Sequence, residues 1–394
     1  MFPDNLTRDE AQRRSKLIST EAYAILFDLS GREVARPEEH FVSTSTIRFT
    51  AREPGSLHVD LIADEVREAT LDGRPLDPAS YAGARLGFSV EAGDHELTVT
   101  AVVRYSRSGE GLHRFVDPAD GRIYLYTQFE AADARRAYAC FEQPDLKARF
   151  SIAVIAPADW LAVSAGPPVQ RTPAGDGLLR TEFGPTPPIS TYLTSLVAGH
   201  YHSRAHTYEG AHGPVEMAVL CRESLVTHLD DDEIVRITAE GFDVFERSFG
   251  YPYPFGKYDQ VFVPEYNGGA MENIGCVTFR DEYIFRSRVT AASSDYRRGT
   301  ILHELSHMWF GNLVTMRWWD DLWLKESFAT WASTENRIGN PLPMINSCMA
   351  MSFMFPSSII WITSPSGFFF LSHSVIFTMT LSWCPAPLSL SSGI

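Results

Sequence analysis

Arg297-Arg298-Gly299-Thr300-Ile301-Leu302-His303-Glu304-Leu305-Ser306-His307-Met308-Trp309-Phe310-Gly311-Asn312 is the stretch on which the fold of the chain's second half turns. Ile301, Leu302, Leu305, Met308 and Trp309 make one apolar helical face, and Gly311-Asn312 predicts its C-terminal stop. His303 and His307 are four apart and share a helix face, so both imidazoles can aim at one cation. Glu304, one step round, faces the same cavity without ligating. This spacing is that of two histidine ligands to zinc with a glutamate as general base. A catalytic zinc needs a third protein ligand and an open position. The run Trp318-Trp319-Asp320-Asp321-Leu322-Trp323-Leu324-Lys325-Glu326-Ser327-Phe328-Ala329 predicts a second helix carrying Glu326 in its first turns, and Glu326 can supply that ligand. A buried helix pair with a salt-bridged histidine would leave Glu304 and Glu326 together unexplained.

Upstream, Tyr258-Asp-Gln-Val-Phe-Val263 predicts a strand with Val261 and Val263 on one face, and Tyr266-Asn267-Gly268-Gly269-Ala270-Met271-Glu272-Asn273 follows. The glycine pair permits close backbone approach by a ligand, and Glu272 places a carboxylate beside it. Here the chain resembles the aminopeptidase N family of gluzincin metallopeptidases, whose G-A-M-E-N element stands intact from Gly269 to Asn273. A further match is Tyr124-Leu-Tyr126-Thr-Gln128-Phe-Glu130-Ala-Ala-Asp133-Ala-Arg135-Arg136, then Cys140-Phe-Glu142-Gln-Pro144-Asp145. The resemblance covers about Asn5 to Gly339 and is close to actinobacterial-type members.

The resemblance implies that Gln128 and Glu130 reach the active site from an N-terminal domain. Glu130 and Glu272 would bind the free α-amino group of a peptide. An interior amide placed there would leave buried charge unpaired, which is costly, so exopeptidase specificity is implied. Gly269 and Ala270 would orient the peptide by their backbones, Met271 and Gln128 would border the first side-chain pocket, and Asn273 completes the element. Without the resemblance, Gln128 and Glu130 read as ordinary polar residues beside a strand.

The chain has 394 residues, enough for two domains with ample cores. A formal net charge of −15 argues against a nucleic-acid partner held through phosphates. Five scattered cysteines without a C-x-x-C predict reduced thiols in a cytoplasmic protein. The polar start Met1-Phe-Pro-Asp-Asn-Leu-Thr-Arg-Asp-Glu predicts no secretory signal. The partners expected are peptides with a free N-terminus, one Zn2+ per chain and no membrane unless the C-terminal tail is genuine; a monomer is expected.

The fold class expected is α+β and multidomain. Residues 1–203 form an antiparallel β domain, read from alternating runs such as Glu21–Leu29, Thr46–Thr50, Leu57–Leu61, Val66–Gly73 and Glu96–Val103. Tyr192–Ala198 is read as its last strand. Residues 204–339 form a partial thermolysin-like α+β domain, as the resemblance implies, with a helix from Asp230 that has acids in its first turn. Residues 340–394 are an uncharged, apolar tail unlike the family: no Asp, Glu, Lys or Arg follows Arg337. The tail reads as a membrane segment at the short edge for spanning or as out-of-frame or foreign sequence, the second being preferred. The family's oxyanion-stabilising tyrosine has no match after Tyr296, and its C-terminal helical domain has none either.

These readings predict a zinc aminopeptidase. His303, His307 and Glu326 hold zinc, and Glu304 takes a proton from water and passes it to the leaving amine. The rivals are a zinc- and peptide-binding remnant impaired by the missing tyrosine, an added epoxide hydrolase activity, and a plain endopeptidase.

Overall fold

The computed structural model describes residues 5–337, 360–364 and 367–371. Helix α1 (Arg8–Leu17) opens the chain with a capping box: Glu10 N–H donates to the Thr7 hydroxyl, and the Thr7 N–H donates to the Glu10 carboxylate. The β framework follows. An eight-stranded sheet runs in the spatial order Pro168–Pro173, Leu178–Phe183, Arg149–Pro157, Ile18–Asp28, His40–Ala51, Gly93–Arg104, Glu65–Leu71, Arg74–Pro75. All of its neighbours are antiparallel except Ile18–Asp28 beside Arg149–Pro157, which are parallel. A four-stranded sheet (Leu161–Ser164, Leu196–Gly199, Ile123–Gln128, Gly111–Val116) and a three-stranded one pack with it. Tyr23, Phe27, Phe41, Phe49, Phe141 and Phe150 fill the core between them.

Sheet membership changes at His200: Leu196–Gly199 closes the four-stranded sheet, and Tyr201–Gly210 opens a five-stranded one. That sheet runs Tyr201–Gly210, Gly213–Arg222, Asp259–Val263, Cys276–Arg280, Ala270–Met271. Helices α2 (Asp231–Phe249), α3 (Ala291–His307) and α4 (Trp323–Arg337) accompany it. At Gly241 of α2 the side chains of α3 pack close: a Cβ there would lie 2.6 Å from Leu305 Cδ2 and 2.8 Å from Leu302 Cδ2. Arg222, itself buried, spans the two units with 2.6 and 2.7 Å ion pairs to Asp117 and Asp281.

Three expectations change in detail. Tyr192–Ala198 is not one strand: Thr191–Leu193 makes a 3₁₀ turn, and the strand begins at Leu196. The turn lets the Tyr192 hydroxyl donate to the Gly311 carbonyl, a tertiary bond that overrides local strand propensity. The run from Trp318 divides into a 3₁₀ turn at Trp319–Asp321 and α4. The acids at the start of α2 do more than cap it. Asp230 makes no side-chain cap bond and instead holds Arg297 of α3 in a two-pronged ion pair at 2.8 and 2.7 Å, while Asp231 takes Arg204 and His206. In the tail, Ile360–Ser364 pairs antiparallel with Gly367–Leu371; the rest of the predicted 340–394 segment lies outside the described residues. Among the described residues, no helix is long and apolar enough to cross a membrane.

Candidate metal centre and carboxylate pair

Helix α3 delivers His303 and His307 from its last two turns, and α4 delivers Glu326 from its first. The imidazole Nε2 atoms are 3.0 Å apart, and Glu326 Oε2 lies 3.4 Å from His303 Nε2 and 3.7 Å from His307 Nε2. Tetrahedral zinc with ligand bonds near 2.0–2.1 Å would separate its donors by about 3.3 Å. The three donors bracket that spacing, so they fit zinc. His307 Nδ1 donates to the Phe310 carbonyl at 3.0 Å, which leaves the Nε2 lone pair for a metal. Burial disfavours a charge on His307, but Glu272 and Glu326 outweigh it and raise its pKa to about 9; burial holds His303 down.

Glu304 is buried, and its carboxylate lies within 4.8 Å of both Glu272 and His307. Burial, reinforced by Glu272 and Glu326, raises its pKa well above the usual carboxylate range. A carboxyl tuned upward is suited to taking a proton and giving it back.

Strand Ile123–Gln128 sets Gln128 at its end and Glu130 just beyond, next to α4. The two-residue strand Ala270–Met271 pairs with Cys276–Arg280 and carries the chain into Glu272. Gly269 is held through its carbonyl by Arg280 N–H at 3.1 Å. Met271, Glu272 and Asn273 are all buried. The Asn273 amide donates to Thr278 Oγ1 at 3.2 Å and so ties its own turn together. Gln128 Oε1 accepts from the Tyr266 hydroxyl at 2.6 Å, which orients it. The structure thus brings Glu130, Glu272, Glu304, His303, His307 and Glu326 together from four separate segments.

Sequence reasoning missed Lys325. Its ammonium is 2.6 Å from Glu130 Oε1, 2.5 Å from Glu272 Oε1 and 2.7 Å from Glu326 Oε1, with the side chain only 2% exposed. It also lies 5.5 Å from the centre of the Tyr192 ring. Burial works against each of these charges, but Lys325 keeps Glu272 below its ordinary value, and the imidazoles together with Lys325 hold Glu326 down. Glu130 goes the other way: burial and Glu272 push it up to about 7. Gly311 makes room for the lysine stem. Its φ is +128°, and a Cβ there would meet Lys325 Cδ at 3.2 Å and His307 Nδ1 at 3.3 Å. Asn312, also missed, donates to the Glu272 carbonyl at 2.8 Å and so links the end of α3 to the carboxylate strand.

The Peptidase M1 N-terminal domain model matches residues 82–193, and the Peptidase family M1 domain model matches residues 234–351. The chain is 49% identical over 340 residues to aminopeptidase N of Streptomyces lividans, a match covering 86% of this chain and 39% of that protein. It is 39% identical over 211 residues to aminopeptidase M1 of Arabidopsis thaliana (52% of this chain, 23% of that protein) and 32% identical over 316 residues to mouse aminopeptidase N (74% and 32%). The chain therefore spans about two fifths or less of the length of these relatives. With both domain models matched in order, and with the metal group and carboxylate pair on the segments they cover, the chain belongs to the M1 peptidase family.

Proposed function

We propose that this chain carries the catalytic centre of a zinc aminopeptidase that releases N-terminal residues from peptides. One observation carries the reading: the buried Glu272 and the partly buried Glu130 stand beside the His303–His307–Glu326 group, joined to it through Lys325. Zinc on that group would supply a Lewis acid for the scissile carbonyl and lower the pKa of water. The chain's own residues do the rest. Lys325 occupies Oε1 of both Glu130 and Glu272, and Oε2 of each remains to accept from a peptide's α-ammonium. That anchor fixes the first peptide bond at a set distance from the metal group, which favours removal of one residue at a time. Glu304 takes a proton from water and returns it to the leaving amine, a role its raised pKa suits. The Phe310 carbonyl holds His307 in the tautomer whose Nε2 lone pair can ligate, and Glu326 is the third donor beside both Nε2 atoms. Gln128 and Met271 border the first side-chain pocket, and the Gly269–Ala270 backbone lies along the peptide.

The test compares alanyl and leucyl peptides with their N-acetylated forms, on protein given zinc and on protein stripped by a chelator. Hydrolysis of the free-amine peptides alone, lost on stripping and restored by zinc, is the expected result. Equal cleavage of the acetylated peptides would assign the carboxylate pair another role. Zinc binding without any turnover would identify a binding protein instead.

A further inference from the structure

Between the strands Asp259–Val263 and Ala270–Met271 the chain passes through Glu265, Tyr266, Asn267, Gly268 and Gly269. The front of this loop is gripped by the N-terminal unit. His113 Nε2 lies 3.2 Å from Glu265 Oε2, and the Tyr126 hydroxyl donates to the Glu265 carbonyl at 3.3 Å. The Tyr266 hydroxyl donates to Gln128 Oε1 at 2.6 Å, and the Asn267 amide donates to the Ser108 carbonyl. His113 and Tyr126 are paired across the strands Gly111–Val116 and Ile123–Gln128, with their rings 4.9 Å apart, and the Tyr126 ring meets Tyr266 edge-on at 5.7 Å.

Glu265 has a φ of +53°, in the left-handed region that disfavours any residue with a Cβ. Such a backbone persists where its surroundings over-determine it, and here the Tyr126 bond fixes its carbonyl while His113 fixes its side chain. That side chain is 55% exposed, yet it turns back to an imidazole only 1% exposed. The carboxylate accepts, so Nε2 carries the ring proton. His113 Nδ1 is buried without a hydrogen-bond partner, which suits the bare nitrogen of a neutral ring. A second proton would land on Nδ1 and be stranded there. The charged groups facing the ring are Glu265 from the loop and Arg107 and Glu110 from its own segment, beside the Tyr126 phenol of the neighbouring strand. Burial outweighs the two carboxylates and lowers the pKa of His113.

We propose that Glu265 and His113 are positioning residues for the peptide: their contact ties the entry of the loop to the N-terminal sheet and sets the Gly269–Ala270 backbone that follows. The clasp is closed while His113 is neutral and loosens when the ring takes a second proton. The peptide half rests on the aminopeptidase reading; the clasp does not.

The clasp is read on the full chain by hydrogen exchange over residues 265–270. Three variants separate side chain from backbone. E265A and E265N both lose the contact, but asparagine tolerates the left-handed region; E265Q can still accept from Nε2. At pH 7.5 the loop of E265A and of E265N exchanges about tenfold faster than that of the native chain, and E265Q stays within about twofold of native. Native exchange in E265N would show that backbone strain alone sets the loop and would overturn the clasp. Between pH 7.5 and 5, the loop's protection factors fall in the native chain and hold in H113Q, whose amide can donate to Glu265 and cannot titrate. Equal falls in both chains would overturn the role given to the proton.

The peptide half is read by calorimetry with trialanine at pH 7.5, on chains also carrying E304Q to prevent turnover. E265N raises the Kd about tenfold, and E265Q restores it. A loosened loop with an unchanged Kd overturns this half. Absence of trialanine binding to the chain with Glu265 intact would instead count against the aminopeptidase reading and leave the exchange result standing.

Discussion

His307 donates its Nδ1 proton to the Phe310 carbonyl, three residues on and 3.0 Å away, so backbone beyond the end of α3 sets the tautomer of a metal-facing imidazole. The ring cannot turn without giving up that bond, and its Nε2 stays aimed at His303 and Glu326. Orientation of this kind typically strengthens metal binding 10–100-fold. Removing a ligand costs more. H307A and E326A are expected to hold less than about one tenth of the zinc that the native chain holds under the same dialysis, because two ligands make a poor catalytic site. Metal analysis after gel filtration checks this.

Glu304 lies on the metal face of α3 without joining the three-donor group. E304Q keeps the shape and removes the base. Zinc content is expected to be unchanged, while kcat for a free-amine peptide falls by about 10²–10⁴-fold, the usual contribution of a positioned general base. A zinc-loaded E304Q with native turnover would end Glu304's candidacy.

Gly241 brings α2 against the metal helix. An alanine there would improve helix propensity by about 1 kcal/mol, but its Cβ would fall inside contact distance of Leu302 and Leu305. Overpacking of this sort costs about 1–3 kcal/mol, so G241A is expected to be destabilised overall in denaturant unfolding. Because Leu302 and Leu305 flank His303, zinc affinity should fall with it.

Glu142 is buried in the N-terminal unit, accepting from the Arg135 N–H at 2.7 Å and the Thr191 hydroxyl at 2.8 Å. Burial raises its pKa from 4.5 to about 7. The folded chain then binds more protons than the unfolded one between those values. The stability from this group is full below pH 4.5 and is lost as pH rises through 7. E142Q cannot titrate there. Its stability deficit relative to the native chain is expected to shrink by about 2–3 kcal/mol between pH 4.5 and 7.5, measured by urea unfolding at each pH. A deficit that stays constant would place the carboxyl's titration outside that window.

The His303–His307 pair was legible because a helix has a fixed period, and Glu304 came with it. The β framework was legible as well: the alternation at Glu21–Leu29 runs one residue past the strand Ile18–Asp28, and that at Glu96–Val103 falls inside Gly93–Arg104. Glu130 carries no such local signal and entered only through the family resemblance, while Glu272 was marked locally by the glycine pair before it and took its role from the resemblance. Lys325 was passed over because a lysine beside a glutamate on a helix usually faces water. A signal was nevertheless present. Lys325, Ala329 and Ala332, spaced four and three apart, share the buried side of α4, and a lysine in line with small buried residues must find counter-charges inside. The Thr191–Leu193 turn was hidden for another reason: what bends the chain is a bond from Tyr192 to Gly311, which no window of local sequence contains.

The turn after α3 receives Lys147 at Asn312 from 165 residues upstream and Tyr192 at Gly311 from 119 residues upstream, and Asn312 reaches back to Glu272. Contacts that distant are slow to form, because the intervening chain must first surrender its freedom. During synthesis, the β framework bearing Lys147 and Tyr192 emerges well before the turn that they grip. The three-donor geometry of the centre is therefore expected to form late, onto a scaffold that emerges first.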